Sequence, residues 1–204
     1  MKILIAKDEA FNFIYRSNVD ALGDMGDVTF FSPLHDSLLP NCDLLYLPGG
    51  YPELYLDKLS HNKSMRDTIR NYAEMGGMIY AECGGFMFLC DSIDNFPMCG
   101  VLPLKATMAN AKLHLGYRQM YLSCNGKEIL IKGHEFHYSE IASDAGLAMY
   151  GNIRCERNQL TAKGMKTNTT LYRYKNVVAG YTHWYWAEVG FPFFSGYHKN
   201  KMDI

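Results

Sequence analysis

Tyr80-Ala81-Glu82-Cys83-Gly84-Gly85 stands between two apolar runs, Met78 to Ala81 and Phe86 to Leu89. A sharp strand-to-helix turn lifts a central nucleophile clear of a sheet and demands small residues two before and two after it, here Ala81 and Gly85. At the N-terminus of the following helix, Cys83 would meet partial positive charge, which favours the reactive thiolate. The bland alternative is an inert core thiol, since free cysteine is among the most buried residue types. Cys42, Cys90, Cys99, Cys124 and Cys155 lack the elbow context and keep that bland reading.

A nucleophilic thiol needs donors for an oxyanion and a base. Pro48-Gly49-Gly50 closes the apolar run Asp43 to Leu47, so its amides would reach the carboxyl edge of a sheet, and Gly84 offers a second amide. Such a turn alone only reverses the chain; its place one crossover before Cys83 gives it weight. Histidines 35, 61, 114, 134, 137, 183 and 198 compete for the base. His183 fits best, because it follows the apolar run Val177 to Tyr181 at what would be the same sheet edge; a hydrogen-bonded core histidine is the alternative. His134 and His137, in Gly133-His134-Glu135-Phe136-His137-Tyr138-Ser139, are three apart and lack a further ligand at helical spacing, so no zinc motif is formed and no metal is expected. Strand alternation puts His134 and Phe136 on one face and Glu135 and His137 on the other, for substrate contact or for a structural network.

Strands and helices must alternate to hold these residues together. Lys2 to Ala6 reads as a strand, followed by a helical pattern with Phe11, Ile14, Val19, Leu22 and Met25 on one face. Asp27 to Phe31 and Asp43 to Leu47 read as buried strands. Asn62 caps a helix carrying Met65, Ile69, Tyr72 and Ala73, which ends at Gly76-Gly77. The pattern predicts an α/β fold: a doubly wound, mostly parallel sheet flanked by helices. From residue 98 to 175, short pieces (VLPL, YRQMYLSC, EILIKG, AMYG, TLYRY) predict an antiparallel or mixed extension in the second half, and Val177 to Tyr181 returns to the main sheet. The charged tail from His198 is expected to fray.

Composition narrows the field further. The 204 residues suit a single domain, 1–204. Twenty basic residues balance twenty-one acidic ones, which argues against a nucleic-acid partner. No apolar run spans a membrane and the start lacks a signal-peptide pattern, so a soluble, cytoplasmic protein is expected. The six cysteines form no C-x-x-C pair.

Taken together, AKDEAFNFIY (6–15), FFSPLHDSLLP (30–40), LPGGYPELY (47–55), IYAECGGFMFL (79–89), GVLPL (100–104), LGYR (115–118) and GHEFHYS (133–139) resemble the class I glutamine amidotransferase domain of cobyrinic acid a,c-diamide synthases. The motifs are collinear over nearly the whole chain. The resemblance implies a class I amidotransferase, flavodoxin-like fold, with Cys83 as the nucleophile on glutamine, His183 as its activator and the amides of Gly50 and Gly84 as the oxyanion hole. Gly49, Glu53, Glu82, Glu135 and His137 are implied as substrate-binding or supporting residues. The general class places a glutamate two residues after the histidine; here Tyr185 stands there, leaving Glu188 or Glu82 as substitutes. The family's ATP and Mg bind in an N-terminal synthase domain, but no G-x-x-x-x-G-K-[ST] occurs here, so this chain is expected to carry no cofactor and to release ammonia without activating a carboxylate. Its expected partners are glutamine, an ATP-dependent synthase subunit or domain and, through that partner, cobyrinate. Rival readings are another acceptor such as nickel-sirohydrochlorin, or a non-catalytic partner-binding module with an inert Cys83. Trp184, Trp186, Phe191, Phe193 and Phe194 are candidates for a partner-facing patch, with core packing as the alternative.

Overall fold

A computed structural model describes residues 1–124, 126–143, 147 and 151–194. The chain opens with β1 (Lys2–Ala6), α1 (Arg16–Gly23) and β2 (Asp27–Phe31). Strand β3 (Leu44–Leu47) leads through a 3-10 turn (Pro52–Leu54), α2 (Leu56–His61) and α3 (Lys63–Glu74) to β4 (Met78–Glu82) and α4 (Gly84–Leu89). There follow β5 (Cys90–Ile93), β6 (Phe96–Pro97), β7 (Leu102–Thr107), β8 (His114–Cys124), β9 (Lys127–His137) and β10 (Glu140–Ser143). The last strands are β11 (Ile153–Glu156), β12 (Leu160–Thr161), β13 (Leu171–Tyr174), β14 (Val177–Gly180) and β15 (His183–Tyr185).

The main sheet runs β11-β13-β14-β4-β3-β1-β2. Its five strands from β14 to β2 are parallel, in the order of a flavodoxin-like doubly wound sheet, while β13 and β11 join antiparallel. Strands β3, β4 and β14 are buried throughout, as a parallel sheet covered on both faces requires. Alternate residues serve two cores. Leu4, Leu45, Ile79 and Val177 meet Met65, Ile69 and Phe86 from the helices. Ile3, Tyr46, Tyr80 and Val178 meet Leu22, Met120, Ile131, Trp184 and Trp186.

The expected extension takes the form of two four-stranded sheets, β10-β7-β5-β6 and β12-β8-β9-β15. The second of these, with α1, covers the face of the main sheet that helices alone would cover in a regular doubly wound fold. Of the expected AMYG piece, residues 148–150 lie outside the described residues, as does the tail from His198.

Helix α3 follows its local signals. The Asn62 side chain accepts from the Met65 amide at 3.3 Å, and at the other end Gly76, at φ +86°, passes its N–H to Ala73 while Gly77 donates to Tyr72. Two expectations fail. Helix α1 begins at Arg16, five residues later than the periodicity suggests, because Asp8 Oδ1 accepts from the amides of Ala10 and Phe11, which holds residues 8–11 in a bend, and Phe13 N donates to Gly49 O in a bridge that keeps Phe13 out of the helix. Strand β2 is an outer strand with one neighbour, so Phe31 alone of its residues is buried.

Candidate active site

The loops after β1, β3 and β4 converge at the carboxyl edge of the parallel sheet, beside the β1/β3 switch where the strand order reverses. Cys83 sits between β4 and α4 at φ 45° and ψ −108°, a backbone conformation that L-residues avoid, at a cost of order 1–3 kcal/mol. Its amide donates to Gly180 O at 2.9 Å, its carbonyl accepts from Met87 N at 2.9 Å, and Gly85 N donates to Pro48 O at 2.9 Å. Gly85 is obligatory at this turn, since a Cβ there would fall 2.1 Å from Leu47 O.

The Cys83 thiol is pushed up to about 12, first by burial and next by the Glu53 carboxylate, against the pull of the Gly84 and Gly50 amide N–H groups that face the sulfur. The expectation of a thiolate is therefore corrected. A six-residue helix offers little field, and removing the sulfur from water outweighs it. Cys42, Cys90 and Cys99 are buried free thiols, while Cys124 is half-buried and Cys155 exposed.

His183 opens β15, where it pairs with His134 of β9, so the chain leaves the main sheet after Gly180 and delivers the ring from the neighbouring sheet. Its ring stacks on that of His134 at 5.0 Å and meets Phe13 edge-on at 4.6 Å. Gly49 supports it from beneath: a Cβ at that position would lie 2.2 Å from His183 Cε1. Burial holds the imidazole down to about 3, helped by His134 and His137. Cys83, His183, His134, Gly50, Phe13, Tyr51 and Phe136 line one cavity of about 300 Å³.

Glu82, fully enclosed, lies with Oε2 3.8 Å from His183 Nδ1, which has no hydrogen-bond partner. The carboxyl accepts from Tyr80 Oη at 2.6 Å, Tyr46 Oη at 2.8 Å and Trp184 N at 2.8 Å. Burial raises it to about 7 against those three donors. The separation exceeds a hydrogen bond and the imidazole is held uncharged, so the resting contact is not an ion pair. Glu188, the other substitute for the absent +2 carboxylate, is exposed.

The remaining candidates divide. The two faces of β9 separate as a period of two requires. Glu135 lies away from the Cys83 cavity, bonded to Arg118 at 2.7 Å, and with His137 lines a second cavity of about 410 Å³. His137 donates through Nδ1 to Ser139 O at 2.8 Å, stacks on Tyr181, and is lowered to about 4 by burial. It also borders, with Glu53, Tyr51, Tyr138 and Met87, a small niche that reaches Cys83 but not His183. Of the other histidines, His35 and His61 are exposed and His114 belongs to the larger cavity; His198 is outside the described residues. Trp184, Trp186 and Phe193 are core residues, which removes them from any partner-facing patch. Sequence reasoning missed Phe13, Tyr15 and Tyr51; the alternation Phe11-x-Phe13-x-Tyr15, with a period of two, was the available signal for an extended segment. Among the described residues no helix is long and apolar enough to cross a membrane, and no group of three or more His, Cys, Asp or Glu is placed to hold a metal.

Residues 2–191 match the model of the CobB/CobQ-like glutamine amidotransferase domain. Cobyrinate a,c-diamide synthases from Fusobacterium nucleatum and Methanocaldococcus jannaschii are each 40% identical over 188 and 190 residues, 89% of this chain and 40% of the relative. The chain thus spans well under half the length of these relatives. Among solved structures, a glutamine amidotransferase from Thermotoga maritima is similar in fold, with a TM-score of 0.56 at 14% identity, covering 89% of this chain and 75% of that one. A chain of PurLQS from the same organism gives 0.54 at 17% identity, over 89% and 86%. The doubly wound sheet agrees with what the match establishes: this chain belongs to the CobB/CobQ-like glutamine amidotransferase domain family.

Proposed function

We propose that this chain, as one glutaminase domain over 1–204, hydrolyses glutamine to glutamate and ammonia. The observation that carries the reading is a single cavity in which a strained cysteine, an imidazole and the Gly50 backbone meet. In the resting site the thiol and imidazole are both neutral. As the sulfur attacks the γ-carboxamide carbon, His183 takes the thiol proton and the carbonyl oxygen becomes an oxyanion held by the amides of Gly50 and Gly84. His183 then passes the proton to the nitrogen, the C–N bond breaks and ammonia leaves a glutamyl thioester. Water, deprotonated by His183, attacks the thioester; glutamate departs and the thiol is restored. Once ionised, Glu82, 3.8 Å from Nδ1, offsets the imidazolium charge, which is part of the role that a carboxylate at position 185 would have filled.

The relatives' names support an acceptor reading in which the ammonia serves amidation of cobyrinate, at the a and c carboxylates, by a synthase domain or subunit that uses ATP and magnesium. The test is glutamate release, measured alone and with such a synthase partner present. Cys83→Ala is expected to lower it at least 1,000-fold, on the order of removing a nucleophile; turnover retained by that variant would reject the mechanism.

A further inference from the structure

Attack on the carboxamide leaves a carbon with four substituents, and the cavity assigns three of them. Sulfur comes from Cys83, oxygen turns to the Gly50 and Gly84 amides, and the departing nitrogen must face His183. The aliphatic chain and the α-amino-acid head therefore leave on the fourth side. A niche lined by Tyr51, Glu53, Met87, His137 and Tyr138 joins the cavity at Cys83, Gly50 and Phe136, and His183 does not line it, which makes it the candidate place for that head.

Among the described residues, Glu53 is the one carboxylate lining that niche, and no lysine or arginine lines it. Its Oε2 is shut from solvent with no hydrogen-bond partner. A buried carboxylate oxygen without a donor carries a desolvation penalty that a cation relieves. We propose that Glu53 is the specificity residue of this site: its carboxylate receives the α-ammonium group of glutamine and so restricts attack to the free amino acid. The inference rests on the glutaminase reading. Arrival of the ammonium also cancels the Glu53 charge that helps hold the Cys83 thiol protonated, so the substrate releases part of the restraint on its own nucleophile. The niche holds only about 10 Å³ as it stands, so the head enters as the rings of Tyr51 and Tyr138, 43% and 39% exposed, turn outwards.

The experiment compares two diazoketones on the full chain: 6-diazo-5-oxo-L-norleucine, which carries the α-amine, and 6-diazo-5-oxohexanoate, which lacks it. Labelling rates at Cys83 are read by mass spectrometry, in the wild-type protein, Glu53→Gln and Glu53→Asp. The wild-type is expected to favour the amine-bearing reagent by at least about tenfold, in line with a charge-assisted hydrogen bond. That ratio should collapse towards one in Glu53→Gln and survive in part in Glu53→Asp. Alkylation of Cys83 by iodoacetamide, which has no amino-acid head, verifies that each variant keeps its site. An unchanged ratio in Glu53→Gln, or no preference in the wild-type, overturns this inference alone. Failure of both diazoketones to label wild-type Cys83 overturns the glutaminase reading and this inference with it.

Discussion

At Cys83 and His183 the same force, exclusion from water, moves two groups in opposite directions: the thiol up to about 12 and the imidazole down to about 3. The resting pair is a neutral thiol beside a neutral base, so the thiol's proton transfer must accompany attack. The geometry leaves little slack for the ring. His183 is held by Phe13 and His134 on its faces and by the bare backbone of Gly49 beneath. In Gly49→Ala the added methyl would overlap the ring, and its packed neighbours block retreat. Overpacking of this kind is expected to remove about 1–3 kcal/mol, read as a lower urea midpoint. Glutamate release should fall about 100-fold as the ring is displaced by roughly an ångström. Glu82 makes a separate prediction. Ionised, it stabilises the imidazolium that forms during attack, so kcat/KM should rise as pH rises through about 7. Glu82→Gln keeps the shape and an acceptor for Trp184 N but cannot ionise; its profile should lose that rise. A variant profile that superimposes on the wild-type would assign Glu82 a packing role only.

At the scale of elements, α3 rests on a cap that does more than close a helix. Asn62 accepts from Met65 N and donates to the carbonyls of Pro33 and Asp36, at 2.8 Å each, tying the helix start to the loop after β2. Asn62→Ala removes the cap and strands two carbonyls, for an expected loss of about 1–2 kcal/mol measured by thermal or urea unfolding. This helix was legible in the sequence because cap, apolar spacing and Gly-Gly terminus are all local. The elbow was legible for the same reason: Ala81, Cys83 and Gly85 are consecutive alternates in one turn. The segment from Phe11 to Tyr15 was not, because what keeps Phe13 out of a helix is a hydrogen bond to Gly49, far along the chain. Strand pairing beyond residue 98 was equally hidden. The strand-like pieces could be recognised, but their partition into a main-sheet edge and two further sheets depends on which face of which sheet lacks cover. The thiolate expectation failed for a related reason: a helix N-terminus can be read from sequence, whereas burial of its sulfur is a property of everything packed around it.

For the whole molecule, the buried ionisable groups of the site make stability depend on pH with opposing signs. The unfolded chain binds a proton at His183 and at His137 as pH falls below about 6.5, while the folded protein refuses those protons until about 3 and about 4. Their contribution is complete above pH 6.5 and is lost as pH falls towards those values. Glu82 acts in reverse. Its folded value of about 7 exceeds the ordinary value of 4.5, so between these the folded state holds a proton that the unfolded state has released. Stability from this group is present below pH 4.5 and is lost as pH rises through 7, at about 1.4 kcal/mol per pH unit within the window. Between pH 4.5 and 6.5 the one carboxyl cancels about half of the slope of the two histidines, which makes the wild-type profile shallower there. Glu82→Gln removes the opposing member alone. Relative to wild-type, the variant's unfolding free energy should gain steadily from pH 4.5 to 7 and stay level outside that range, so that as pH falls from 7 to 4.5 the variant loses stability more steeply than wild-type. Urea midpoints of both proteins across about pH 4 to 8 measure the difference. A parallel pair of curves would mean that Glu82 is ionised to the same extent folded and unfolded, and would remove the buried acid from the account of the site.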